Sequence, residues 1–482
     1  TLSDDRRQRQ MCIRDRAEGQ PFFHIANFST THESSLHRGS VAENHDPAVV
    51  QLAPFHPDTP AARNDYAVYY DRLQDMDAQA GALLDQLEED GLAESTVVFY
   101  YADHGGALGG TKRFLTEAGL HVPLLVHVPE KFRHLVEHDP VSTVDRPVSF
   151  VDLTATLMQL AGIEKPAYMV GDSVLKKEGA PYVFAYGGRM DERINLVRSV
   201  SDGRYRYTRN YMPHRPYGRR LEYLWRAPLM QSWVKEYEAG RLNAAQSAFF
   251  ETRAAEELYD TQNDPHQLVN LAGQAEHASK QEELSGALTA WQVEQRDAGL
   301  VPEAMLIELD GKGVVRDYVS SAAYPVEDIL RLAQQAGMRD PALLGDFLGE
   351  LDSGHPVKAY WAATGILLLG EKARPALSAI QEALESVEPW SGVVLAEALI
   401  GLGEREAGKT YLAKTLDHDN EMVRLAGMET VVETGLLDPD FQAVVAALVP
   451  DDPDERPYDA RMARYVMQLY ENEAAAGGGS EK

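Results

Sequence analysis

The chain has 482 residues, enough for two or three domains with separate cores. Acidic side chains outnumber basic ones by 75 to 46, and the formal charge of −29 disfavours nucleic acid and anionic membranes except where basic residues cluster locally. The single cysteine, Cys12, excludes an intrachain disulfide, and no apolar run reaches the about 18 residues that a membrane helix requires.

The amino end, TLSDDRRQRQMCIRDR, is dense in charge, lacks periodicity and resembles translated sequencing adapter. Residues 1–16 are therefore set aside as a non-native segment. From Gln20 short apolar runs alternate with amphipathic segments. PFFHIANF (21–28) reads as a strand, and residues 64–89 read as a helix with Tyr66, Tyr69, Tyr70, Leu73, Met76, Ala80, Leu83, Leu84 and Leu87 on one buried face. Strands follow at 97–102 and 122–128, then a helix at 149–163 closed by Gly162. The alternation predicts βαβ units and an α/β core with a mostly parallel sheet over residues 17–180.

Residues 181–305 predict a small antiparallel subdomain, with a tight corner at Asp202-Gly203 and a helix near 276–298. Beyond residue 320 the strand signals stop. ATGILLLGEKA and AEALIGLGERE align with Gly370-Glu371 and Gly403-Glu404 offset by 33 residues, and Gly435 repeats the beat 32 later. That period predicts an α-solenoid of HEAT-like helical repeats over 320–472, followed by a flexible tail at 473–482.

The stretch VVFYYADHGGALGGTKRF ends an apolar run in Asp103 and His104, then in glycines, Lys112 and Arg113. Ligands of α/β proteins bind beyond strand carboxyl ends, and a carboxylate beside an imidazole there offers two metal ligands. From Arg189 to Arg226 ten arginines face four acids, in a chain that is otherwise acidic. Planar guanidinium groups suit sulfate and carboxylate, and Tyr205, Tyr207, Tyr211, Tyr217 and Tyr223 offer faces on which sugars stack. The plainer reading makes RYRYTR the exposed face of an edge strand.

FYYADHGG with Lys112, EAGLHVPLLVHVP, SFVDLTATLMQLAGI and AEELYDTQNDPHQLVNLAG together resemble the sulfatase family of the alkaline phosphatase superfamily, over roughly residues 20–300. PFFHIANFSTTHE is most similar to its sulfamidase-like branch. The resemblance implies an alkaline-phosphatase-like fold and hydrolysis of sulfate esters or N-sulfates of a sulfated sugar. Asp103 and His104 would then be ligands of one metal ion, usually calcium in the family. His32 would protonate the leaving group, and Lys112 would contact the sulfate oxygens as a second catalytic residue. Arg113 would share that anion or form a surface salt bridge, and Arg189 and Asp191 would be substrate contacts. His24, inside the predicted strand, reads as packed.

The chain departs from the family at the nucleophile. The family's Cys-x-Pro-Ser-Arg, whose Cys becomes formylglycine, is absent, and Cys12 in MCIRDR is assigned no role. The expectation is an inactive, amino-terminally truncated fragment of a sulfatase that is exported to the periplasm or the outside of the cell. A phosphodiesterase or phosphonate hydrolase of the same superfamily would share these residues. A noncatalytic repeat protein with a remnant domain would instead bind a protein partner, or itself, through its HEAT-like repeats.

Overall fold

The computed structural model describes residues 17, 19–37, 39–310, 313–450 and 457–477. Cys12, with the rest of residues 1–16, lies outside the described residues, as do the last five of the expected tail. The chain forms an α/β region, a four-stranded antiparallel sheet and a helical carboxyl-terminal region.

Helix α1 (Pro60–Glu89) starts where Thr59 caps the Ala62 N–H and Pro60 occupies the first turn, where its missing N–H costs nothing. Only its first half is buried, at Ala62, Asp65, Tyr66, Ala67, Val68 and Asp71, whereas Leu84 is 49% exposed. The predicted apolar face therefore finds a core for its tyrosines and none for its last leucines. The first half packs against α3 (Pro228–Glu238), whose Leu229, Met230 and Trp233 are fully buried beside Phe114 and Leu108.

Strands β1 (Val98–Tyr101) and β2 (Leu124–His127) pair antiparallel, with Tyr100 opposite Leu125. No parallel pair occurs among the described residues, which corrects the expectation of a mostly parallel sheet. A parallel pair needs a crossover of a dozen or more residues, usually helical. Here the connection is chiefly turns with one helical turn, Glu117–Leu120, and it returns the chain in the opposite sense. Residues 21–28 alternate between exposed and half-buried with the period of a strand, but no ladder forms on them, so the expected strand is an extended segment. Helix α2 (Val151–Leu160) ends before Gly162, whose φ of +67° turns the chain away.

Strands β3 (Val183–Gly187), β4 (Val197–Ser201), β5 (Tyr205–Asn210) and β6 (Glu256–Asp260) form one antiparallel sheet in that order, as the sequence predicts. Gly203, at φ +94°, makes the corner between β4 and β5. RYRYTR is not an edge: β5 lies between β4 and β6, and Tyr207 is fully buried against Leu258, Val200 and the Leu284 and Leu288 side chains of α4 (Ala278–Glu294).

After α5 (Glu303–Asp310) the chain is helical. The helices α6 (Val326–Met338), α8 (Pro356–Leu369), α10 (Pro389–Gly401), α12 (Glu421–Thr434) and α14 (Tyr458–Gly477) pack one on the next. The intervening α7 (Leu344–Leu351), α9 (Leu377–Ala383), α11 (Arg405–Leu416) and α13 (Pro439–Ala447) form a second layer. The glycines that carried the sequence beat close successive helices of the first layer, with φ of +56° at Gly370, +91° at Gly403 and +60° at Gly435. Helix α14 continues to Gly477, past residue 473 where the tail was expected, because its alanine-rich end favours helix. The core of this array runs unbroken into the sheet subdomain through Leu196, Tyr211 and Met212.

Candidate anion site

His32 caps a short 3-10 helix, Glu33–Leu36, and its Nδ1 accepts the Ser34 N–H at 3.3 Å. That bond leaves Nε2 as the protonated nitrogen of the neutral ring. Burial, then the nearby Lys112 charge, pushes the His32 pKa below the ordinary imidazole value.

Glu33 is 3% exposed and receives both cations of the glycine loop. Arg113 donates two hydrogen bonds to it, each 2.8 Å, and Lys112 Nζ lies 3.1 Å away. Burial alone would raise the Glu33 pKa, but the hydrogen bonds and charges of Arg113 and Lys112 hold it below the usual carboxylate value.

The loop that presents these cations is specific to its sequence. A Cβ on Gly105 would stand 1.9 Å from the Ala118 carbonyl oxygen, and Gly110 takes a φ of +77°. Phe114 anchors the far end against Tyr217 and Phe249, both at 5.2 Å between ring centroids. Arg113 itself has a φ of +81°, a conformation that costs a side-chain-bearing residue energy and that its ion pairs to Glu33 and Asp191 help hold.

Asp103 and His104 sit at the end of β1. His104 Nδ1 donates to the Gly105 carbonyl at 2.7 Å, which leaves a lone pair on Nε2, 3.7 Å from Asp103 Oδ1. A ligating histidine is commonly oriented by such a carbonyl. The Asp103 side chain is 86% exposed. Calcium takes about six to eight oxygen ligands. Among the described residues no group of three or more His, Cys, Asp or Glu is placed to hold a metal ion. The two ligands present therefore do not make a calcium centre by themselves.

Asp191 joins this cluster from the other side, with Oδ2 3.2 Å from Arg113 Nε. Arg113 is thus 13% exposed and doubly paired, which is neither a surface salt bridge nor a free cation. Arg189 is directed elsewhere: Nε and Nη2 bond the Glu303 carboxylate at 2.8 and 2.9 Å, and its guanidinium lies 3.9 Å from the Tyr458 ring centroid. The structure brings His32, His104, Lys112, Arg113 and Asp191 together, and Arg189 meets them only through a bond from its guanidinium to the Asp191 backbone carbonyl.

The rest of the basic cluster faces the helical array. Arg193, Arg215 and Arg219 are buried against Glu397, Glu429 and Glu433, with Arg215 2.5 Å from Glu397 and Arg219 in direct contact with Glu429. On the sheet, Arg198 pairs with Asp297 at 2.7 Å and Arg206 with Glu117. Tyr207 and Tyr211 are core residues. The expected sugar platform is instead an internal ion-pair junction, because the acids that neutralise it lie far away in sequence.

Residues 6–163 match the model of the sulfatase family. The chain is 32% identical over 334 residues to an ulvan-active sulfatase of Formosa agariphila, covering 61% of this chain and 55% of that protein. It is 29% identical over 281 residues to N-sulphoglucosamine sulphohydrolase of Homo sapiens, 55% of each chain. A solved complex of another protein with its substrate D-glucosamine-2-N,6-O-disulfate aligns at 20% identity and a TM-score of 0.35, over 49% of this chain and 41% of that one, a likeness too loose to carry an argument. The chain spans about half the length of the curated relatives it matches. The segment that holds His32, Asp103, His104, Lys112 and Arg113 is sulfatase-like.

Proposed function

We propose that the protein is a sulfuric ester hydrolase acting on a sulfated sugar, with the sulfate group received by Lys112 and Arg113 beside His32. The observation that supports this reading is the convergence of His32, Lys112 and Arg113 on the buried Glu33. The relatives named for ulvan and for N-sulphoglucosamine agree with it. Hydrolysis adds water across an S–O or S–N bond, and the departing oxygen or nitrogen gains a proton. The His32 Nε2–H is a donor for that atom. The two cations bear the negative charge on the sulfate oxygens, exchanging their bonds to Glu33 for bonds to substrate.

Asp103 and His104 are assigned as two ligands of the family's calcium ion, which requires further ligands. A formylglycine nucleophile is likewise expected by resemblance, and no described residue is given that role. The helical array is read as HEAT-like repeats that suit a protein partner or self-association. The periplasm or the cell exterior is the assigned location.

Calorimetric titration with inorganic sulfate tests the anion site. The expected outcome is binding to the unaltered protein, weakened at least about tenfold by Lys112→Ala through the loss of one charge-assisted contact. Equal affinity in the folded variant would remove the site from consideration.

A further inference from the structure

The turn between β3 and β4 ties the helical array to the anion site. Met190 and Arg193 exchange two backbone hydrogen bonds of 2.8 Å, closing a two-residue turn over Asp191 and Glu192. Asp191 stands there at φ +46°, a conformation that glycine adopts freely and aspartate at a cost. Its two carboxylate oxygens serve different parts of the molecule: Oδ2 takes Arg113 Nε at 3.2 Å, and Oδ1 lies 3.5 Å from Arg461 Nη1 on α14.

The neighbours of Asp191 fix the same turn to the array. Arg189 holds Glu303 on α5 and covers Tyr458 at the start of α14. Glu192, 2% exposed, accepts the Glu222 N–H and lies 3.8 Å from Arg461. Arg193 reaches Glu429 and Glu433 on α12 at 3.8 and 4.0 Å. All four charged side chains from Arg189 to Arg193 bear ionic contacts, and among them only the Asp191 carboxylate also touches a cation of the anion site.

We propose that Asp191 is a positioning residue, and that through the chain Arg461–Asp191–Arg113 the carboxyl-terminal helical array sets the orientation of the guanidinium that receives the sulfate group. The inference rests on the anion site assigned above and gives the array a role in substrate recognition. A chain that retains aspartate in a strained turn, with one oxygen on each side of a domain junction, gains orientation of Arg113 at the expense of local backbone energy. Before sulfate arrives the guanidinium plane is held by Glu33 on one edge and Asp191 on the other; once sulfate takes the place of Glu33, the Asp191 bond to Nε remains and leaves its placement dependent on α14.

The sign of one substitution separates positioning from bulk charge. Asp191→Asn removes a negative charge beside an anion site, so a charge-only account requires tighter sulfate binding. Positioning requires weaker binding, by about fivefold to tenfold for one charge-assisted contact. Arg461→Ala should weaken sulfate in the same sense, and the double variant should lose less than the sum of the two, since both break one chain. Arg461→Lys, which keeps a donor and the charge, should recover part of the loss. In 15N-arginine-labelled full-length protein, the Arg113 Nε–H resonance should be sharp in the parent and broadened in both single variants.

Tighter or unchanged sulfate binding in Asp191→Asn, or an unaltered Arg113 resonance, overturns the inference while leaving the anion site standing. Failure of the unaltered protein to bind sulfate removes the anion site and this inference with it.

Discussion

Two buried carboxylates, one in the amino-terminal region and one in the carboxyl-terminal helices, show how differently these regions are held. Glu429, 2% exposed on α12, faces Arg219 and Arg193 and accepts the Ile194 N–H at 3.2 Å. Asp65, 1% exposed on α1, accepts the Leu229 N–H at 2.8 Å, and no cation among the described residues pairs with it. The carboxyl-terminal junction combines a continuous apolar core with compensated charge. The amino-terminal region combines a small core with an uncompensated carboxyl and strands that are half-covered. Junction charges therefore specify how two domains fit, whereas Asp65 serves only to cap α3.

Removing one member of each arrangement should have opposite effects. Glu429→Ala leaves buried Arg193 and Arg219 with only the more distant Glu433 carboxylate, and a cost of about 3 kcal/mol is expected, read by chemical denaturation with hydrogen exchange localising the loosening to α12 and the Arg193–Arg219 segment. A loss below about 1 kcal/mol would mean that water replaces the carboxylate and the junction is not dry.

Asp65→Asn should stabilise. Burial raises the Asp65 carboxyl from its ordinary value of 3.8 to about 6. Between those values the unfolded chain has released its proton and the folded chain retains it, so stability falls as pH rises from about 4 to 6 and stays lower above. Asparagine keeps an acceptor for Leu229 and removes that limb, a gain of about 3 kcal/mol at pH 7 that vanishes near pH 4. Denaturation midpoints that are equal at both pH values would show that the carboxyl is hydrated.

The smallest effect on stability is expected on β2, where Leu125 is 59% exposed opposite Tyr100 at 37%. Leu125→Lys should change stability by less than about 0.5 kcal/mol. It should also lower light scattering on concentration, since a charge on an exposed strand discourages pairing between chains. Phe23 and Ile25, at 69% and 54% exposure, belong to the same uncovered amino-terminal region.

Local pattern was legible where local physics decides it. Glycines 370, 403 and 435 announced the helix ends because only a left-handed residue closes those turns. The Asp202-Gly203 corner and the antiparallel subdomain followed from alternation and turn chemistry in the same way. His32, Lys112 and Arg113 could be named from the sequence as candidates, and in the structure Lys112 and Arg113 pair with the Glu33 carboxylate while His32 stands beside it. Glu33 was missed although it adjoins His32, because nothing in TTHESS shows that it is buried. Arg461 was beyond reach altogether. The arginine cluster was misread for a related reason: its counter-charges on α10 and α12 lie far away in sequence, 182 residues for Arg215 and Glu397 and 210 for Arg219 and Glu429, and a long-range ion pair leaves no periodicity. The direction of β2 was likewise set by the path of a turn-rich connection and not by the apolar run that precedes it.

Because the arginines between Arg189 and Arg226 are largely consumed by internal partners, the formal charge of −29, which already counts them, is not relieved locally by an exposed basic patch there. A polyanionic glycan approaching this molecule meets a repulsive far field, and attraction begins only within a Debye length of Lys112 and Arg113, about 8 Å at physiological ionic strength. Encounter is then governed by diffusion against a barrier that dissolved salt lowers, so capture of an anion falls to the few contacts with Lys112 and Arg113 themselves.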